Sequence, residues 1–203
     1  MDGARSGTAE LHRYARYLMR AALQPRSQVI ANLLRAFRRN GYEGASLSRL
    51  SDETGLGRAS LYHHFPGGKE DMAHAVVVSA VHDFANVVLA PLQETGTPRQ
   101  RTVAMASALS SFYDGGKEAC ILALMTVGES REALVPEIRK GLEGWIEALT
   151  AVVVEAGQPE AVARERAQDA VARIQGALVL ARGLGDTTIF ERTVKDQPRD
   201  LLA

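Results

Sequence analysis

The chain has a single cysteine, Cys120, in 203 residues, so it can form no internal disulfide. That scarcity fits a reducing compartment, and the cytoplasm is the expected location. No apolar run of about 18 residues stands out, so no membrane span is expected. The opening stretch, MDGARSGTAELHRYARYLMR, lacks an apolar core and a small-residue cleavage site, and so does not read as a secretory signal. There is no clean alternating strand pattern, no internal repeat and no low-complexity tract. There is also no His-x-x-x-His pair. His63, His64, His74 and His82 with Asp71 and Asp83 are the only metal-like set, and neighbouring helical residues such as His63 and His64 point about 100° apart. An enzyme or a metal site is therefore not expected, and no cofactor is implied.

What is present is ordinary in amount and unusual in distribution. Hydrophobic residues make up 46% and charged residues 24%, as in a soluble globular protein long enough to bury a sizeable core. The net charge is zero, but residues 1–69 hold 11 Lys and Arg against 5 Asp and Glu (+6), and residues 70–203 hold 13 against 19 (−6). A basic small module ahead of an acidic larger one points to a polyanion partner for the first, unless the clustering is chance.

Apolar residues recur at helical spacing between Pro and Gly breaks, and the Val triplets in AVVVSAV and TAVVVEA lie inside such stretches, so the chain reads as all-α. The first helix spans Ser27 to Asn40, with Ser27 as N-cap, Gly41 as the C′ residue and Val29, Ile30, Leu33, Leu34 and Phe37 as its apolar stripe. Further helices are expected over Leu47–Thr54, Arg58–His64, from Lys69 onward, and over Thr97–Phe112 after a kink or end at Pro91. The remaining ones are Glu118–Gly128, Val135–Glu155, Ala161–Leu184 and Thr187–Val194, with a frayed tail after Pro198.

Residues 46–64, SLSRLSDETGLGRASLYHH, have helix-turn-helix logic: two short helices joined by a Gly-containing turn. Leu47, Leu50, Leu56 and Leu61 supply a small core, and Gly55 permits the positive φ of the turn. The second helix offers Arg58, Ser60, Tyr62, His63 and His64. In a helix-turn-helix that helix enters the major groove, where Arg reads guanine and Ser or Ala can meet a thymine methyl. An ordinary three-helix packing unit would share the pattern.

The run from Val29 to Val77 closely resembles the DNA-binding domain of TetR-type transcriptional regulators. The matching landmarks are Ala36-Phe37, Gly41-Tyr42, Ser46, Gly55-Leu56, Leu61-Tyr62-His63-His64-Phe65 and Lys69-Glu70. Ser51 departs from the Ala usual in the family. The Pro66-Gly67-Gly68 spacing and the later IQGALVLARGLGDTTIFERTV are similar to the LmrA/YxaF-like subgroup. The resemblance implies a ligand-responsive regulator, most often a repressor, with DNA contacts at Ser46, Ser48, Arg49, Arg58, Ala59, Ser60, Tyr62, His63, His64 and Lys69. It implies a helix-turn-helix domain over 25–69 and a ligand-binding and dimerisation domain over 70–203. The partners it implies are a palindromic operator, a second copy and a small-molecule effector.

In the second half the residues themselves suggest the candidates. Phe84, Met105, Leu109, Phe112, Met125 and Trp145 could line a pocket for a small apolar or aromatic molecule, or be plain core. Tyr113, Glu129 and Arg173 could add polar anchors. Ala170, Ile174, Ala177 and Leu178, with Gly176 and Leu180, suit close helix approach and are the candidate dimer interface. Cys120, in an apolar stretch, reads as a buried inert thiol. Residues 1–24 read as an extension that is either an extra helix against DNA or a start placed ahead of a true one at Met19. A DNA binder that is metal-responsive, or that ignores small molecules altogether, is the alternative function.

Overall fold

The structure, a computed structural model, describes residues 24–127 and 131–203; the readings of residues 1–23, Met19 and Glu129 lie outside them. Among the described residues there are nine α-helices and no strand. They are α1 (Arg26–Gly44), α2 (Leu47–Thr54), α3 (Arg58–His64), α4 (Gly68–Phe84) and α5 (Pro98–Phe112). After these come α6 (Ile121–Leu124), α7 (Arg131–Glu155), α8 (Glu160–Leu184) and α9 (Thr188–Leu202). The chain divides into two compact units between Val76 and Val77, inside α4.

In the first unit α1 packs on α2 and α2 on α3. Val29, Leu33, Ala36 and Phe37 fall on one face of α1 at i, i+4, i+7 and i+8 and are buried, with Leu50, Leu56, Leu61 and Phe65 closing the same core. Ile30 and Leu34 flank this stripe half-buried. Asn32 is buried instead, its Oδ1 accepting from Gln28 Nε2 at 3.0 Å and Arg35 Nη2 at 2.7 Å. Ser27 does not cap α1: Pro25 holds the N-cap position, already at φ −58°. Gly41 (φ 66°, ψ 179°) breaks the regular helix where a C′ residue was expected, and one further turn carries the chain to Gly44.

In the second unit α7 packs on α8, α8 on α9, and α9 on α5. Their shared core includes Met105, Leu109, Trp145, Leu149, Ala163, Ala167, Ile174 and Phe190. A capping box opens α5: Gln100 N–H donates to Thr97 Oγ1 at 3.3 Å, and Thr97 N–H donates to Gln100 Oε1 at 2.9 Å. Before it, α4 runs on as a π turn over Ala85–Leu89 and a 3-10 turn over Ala90–Gln93, so Pro91 tightens the helix rather than simply ending it. Asp186 Oδ1 accepts from the Thr188 N–H at 2.9 Å at the start of α9, and that bond holds its carboxyl below the usual range.

Four expectations are corrected. The stretch expected as a helix over Glu118–Gly128 is helical, among its described residues 118–127, only over Ile121–Leu124. Gly115 and Gly116 take positive φ, Cys120 is extended, and Met125 ends the turn. Its apolar letters reflect burial of Cys120, Ile121 and Met125, not helical periodicity. Helix α9 passes through Pro198 to Leu202, because Gln197, Pro198 and Leu201 are buried and their packing outweighs the lost backbone hydrogen bond. Helix α7 starts at Arg131 rather than Val135 and absorbs Pro136. Finally, Gly68–Gln93 is long and apolar enough to cross a membrane by length and composition. A core helix passes the same test, and Met72, Ala73, Val76, Val77, Ala80 and Val88 along this stretch are buried.

Gly116 sits at φ +101°, and a Cβ there would lie 2.8 Å from the Phe190 ring. Gly116→Ala therefore combines backbone strain with overpacking and should lower the unfolding free energy by about 2 kcal/mol or more. Gly144→Ala, mid-helix with nothing within 4 Å of its Cβ, should be neutral or stabilising. Urea denaturation of the two variants beside the parent tests the contrast.

Candidate nucleic-acid interface

The turn between α2 and α3 is built from side chains. Gly55 (φ 69°, ψ 13°) stops α2 in the left-handed region. The buried Thr54 Oγ1 donates to Leu50 O at 2.7 Å and accepts from the Leu56 N–H at 3.3 Å. Ser51 Oγ donates to Leu56 O. Both backbone groups of Leu56 are thus satisfied by hydroxyls, and its side chain is buried beneath them. Ser51, the departure from the family pattern, fits because its hydroxyl has this partner.

Helix α3 then hangs from Leu61, which is buried along with Phe65. Of the other α3 residues, Arg58, Ala59, Tyr62 and His63 are exposed, and Ser60 and His64 are half-buried. Among the described residues Arg58 has no hydrogen bond or ion pair, so its guanidinium is available. The His63 and His64 rings sit 6.0 Å apart, and His64 leans toward Phe65 at 6.1 Å. Among the described residues no cluster of three His, Cys, Asp or Glu side chains could hold a metal ion.

At the start of α2, Ser46 is the N-cap and its Oγ accepts from the Arg49 N–H at 3.3 Å. Ser48 is exposed. The Arg49 guanidinium is tied back, donating to Gly44 O at 2.8 Å and Asn40 Oδ1 at 3.3 Å. Lys69, in the first turn of α4, holds its Nζ 4.2 Å over the Tyr42 ring and 3.5 Å from Glu43 O. Tyr42 in turn stacks on Phe37 at 6.1 Å. Sequence reading used Tyr42 only as a landmark and missed its role as the platform for Lys69. The two are far apart in sequence, and only the aromatic just ahead of the second helix hinted at it. Glu53 offsets part of the basic charge, pairing with Arg39 at 3.1 Å and Arg35 at 3.6 Å.

In the second unit Phe84, Met105, Leu109, Phe112 and Trp145 belong to one core, while the buried Met125 is not part of that cluster. Phe84 is the hub, 4.7 Å from Trp145 and 5.4 Å from Phe112, ring centre to ring centre. Tyr113 packs 5.2 Å from Phe112 and extends the cluster to Phe190 at 6.2 Å. Trp145 Nε1–H is buried with no hydrogen-bond partner. None of the six candidates lines either of two surface grooves, one of about 420 Å³ between α8 and α9 and one of about 330 Å³ beside Thr126 and α7. Arg173, offered as a polar anchor, instead borders the first groove and pairs with Asp200 at 3.4 Å.

Ala170, Ile174, Ala177 and Leu178 are buried within the single chain. Small residues that let two helices of one chain approach look the same in sequence as small residues between two chains. The large apolar side chains that α8 leaves exposed are Val162, Val179, Leu180 and Leu184.

Residues 29–76 match the family described as bacterial regulatory proteins, tetR family, and residues 114–196 match the transcriptional regulator LmrA/YxaF-like C-terminal domain. The HTH-type transcriptional regulator LmrA of Bacillus subtilis is 27% identical over 162 residues, 77% of this chain and 85% of that one. The HTH-type transcriptional repressor AcnR of Corynebacterium glutamicum is 36% identical over 63 residues, 31% of this chain and 33% of that one. A TetR transcriptional regulator from Legionella pneumophila superposes with a TM-score of 0.75 at 21% identity, covering 87% of this chain and 96% of its own. These families and relatives are transcriptional regulators, not enzymes.

Thr54→Val keeps the volume but leaves the buried Leu56 N–H unsatisfied. It should lower the unfolding free energy by about 1–3 kcal/mol. Thr54→Ser, which retains the hydroxyl, should recover most of that loss in the same urea titration.

Proposed function

Because the chain belongs to the TetR family of DNA-binding transcriptional regulators, we propose that it is a ligand-responsive repressor of the cytoplasm, acting as a homodimer on a palindromic operator. The observation that carries the DNA-reading half is the exposed face of α3, with Arg58, Ala59, Tyr62 and His63 outward and Leu61 and Phe65 anchoring it from behind. Arg58, without an internal partner, is assigned to base edges. Ser46, Ser48, Arg49, Ser60, Tyr62, His63, His64 and Lys69 are assigned to phosphate or groove contacts that set register. Residues 25–69 form the reading head and 70–203 the effector and dimerisation domain. Two heads in a dimer would address half-sites about 34–36 Å apart or more.

The effector is a small apolar or aromatic molecule received by the cluster around Phe84 and Trp145. Support comes from the density of rings there and from the buried, unpartnered indole N–H. The molecule lowers operator affinity by as much as it prefers the conformation that does not fit DNA.

Binding to DNA from the region flanking the gene, followed by fluorescence anisotropy at two salt concentrations, tests the head. Lys69→Ala should weaken operator and unrelated DNA alike and flatten the salt dependence by about one counterion. Arg58→Ala should cost about 1–3 kcal/mol on the operator and narrow its advantage over unrelated DNA. Parent-like binding by both variants would remove this surface from consideration. Trp145 is the sole tryptophan, so an effector that releases DNA should change its emission over the same concentration range. Release with no change in that emission would place the effector elsewhere.

A further inference from the structure

At the junction of α1 and α2, Arg49 is held by a single nitrogen. Its Nη1 donates to Gly44 O at 2.8 Å and to Asn40 Oδ1 at 3.3 Å. That nitrogen carries two hydrogens, and two acceptors engage it. Among the described residues no other hydrogen bond or ion pair occupies this guanidinium. The side chain is fixed, yet its Nε–H and Nη2–H edge stays open. Such an edge is a pair of parallel donors that can take two oxygens of one phosphate together.

The two acceptors differ in what maintains them. Gly44 O belongs to the backbone at the end of α1, and it also accepts from the Ser46 N–H at 3.1 Å. No side-chain substitution removes it. Asn40 is the side-chain half of the hold. Its Nδ2 donates to Ala36 O at 2.8 Å, one turn back along α1. Ala36 O can only accept and Arg49 can only donate, so one orientation of the amide serves both. A short amide supplies that donor and that acceptor at once. An aspartate would offer no proton to Ala36 O, and an alanine would offer neither group.

We propose, resting on the reading above that Arg49 meets DNA, that Asn40 is a positioning residue for that contact. It turns the guanidinium so that the Nε–Nη2 edge is presented to a phosphate before DNA arrives, and it acts only through Arg49. The gain is one of entropy, since a held fork has less freedom to lose on binding. It raises affinity for all sequences alike, because the phosphate carries no base identity.

The test uses the full-length chain, DNA from the region flanking the gene and an unrelated duplex. Asn40→Ala should weaken binding to both by about two- to tenfold, the range for freeing one long side chain. In an Arg49→Ala background the same substitution should change neither. A head that merely folded less well would lose affinity in both backgrounds. Nitrogen-15 relaxation of the arginine Nε–H groups in the DNA-free protein reads the hold directly. Arg49 should be ordered in the parent and become as mobile as Arg58 in Asn40→Ala. Parent-like binding by Arg49→Ala would overturn the DNA contact of Arg49 and this proposal with it. Three other results would overturn the positioning role and leave that contact standing: no loss in Asn40→Ala, a loss that persists without Arg49, or an Arg49 already as mobile as Arg58 in the parent.

Discussion

The reading surface depends on two hydroxyls closing one turn. Thr54 and Ser51 satisfy both backbone groups of Leu56, which lets the chain reverse after Gly55 with its apolar side chain buried. The direction in which α3 leaves that turn decides which of its faces is outside. With Leu61 and Phe65 held inward, Arg58, Ala59, Tyr62 and His63 have no orientation left but outward. A short helix has little stability of its own, so its geometry is set by these contacts rather than by helical propensity.

Around that surface the basic side chains fall into two kinds. Arg49 and Lys69 are pre-positioned, one by Gly44 O and Asn40, the other by the Tyr42 ring. Holding a cation before DNA arrives reduces the ordering entropy that phosphate contact would otherwise cost. Among the described residues Arg58 has no such hold, which would suit its proposed role of adapting to base edges.

Legibility in the sequence varied with the range of the interactions involved. The bounds of α2 and α3 were readable because Ser46, Gly55 and Pro66 act within a few residues of themselves. The Glu118–Gly128 segment was misread because its apolar residues are buried by distant packing, and burial carries no periodicity when the backbone is irregular. The tail of α9 was misread for the converse reason: Pro198 signals a local stop that packing of Gln197 and Leu201 overrides. The aromatic candidates were identifiable as a set, but Met125 could not be told from the rest by residue type. Ala170, Ile174, Ala177 and Leu178 were recognisable as close-approach residues without any indication of whose helix they approach.

The sequence by itself determined the helical class, the order of the elements, the helix-turn-helix and the family, because caps, glycines and apolar spacing are local properties written in consecutive residues. Only the tertiary structure decided that Tyr42 carries Lys69, that Phe84 gathers Trp145, Phe112 and Tyr113 into one cluster, and that Gln197 is buried without a partner. Each of those is a meeting, or a failure to meet, between residues distant along the chain. Their distances follow from how whole helices pack, which no local pattern encodes.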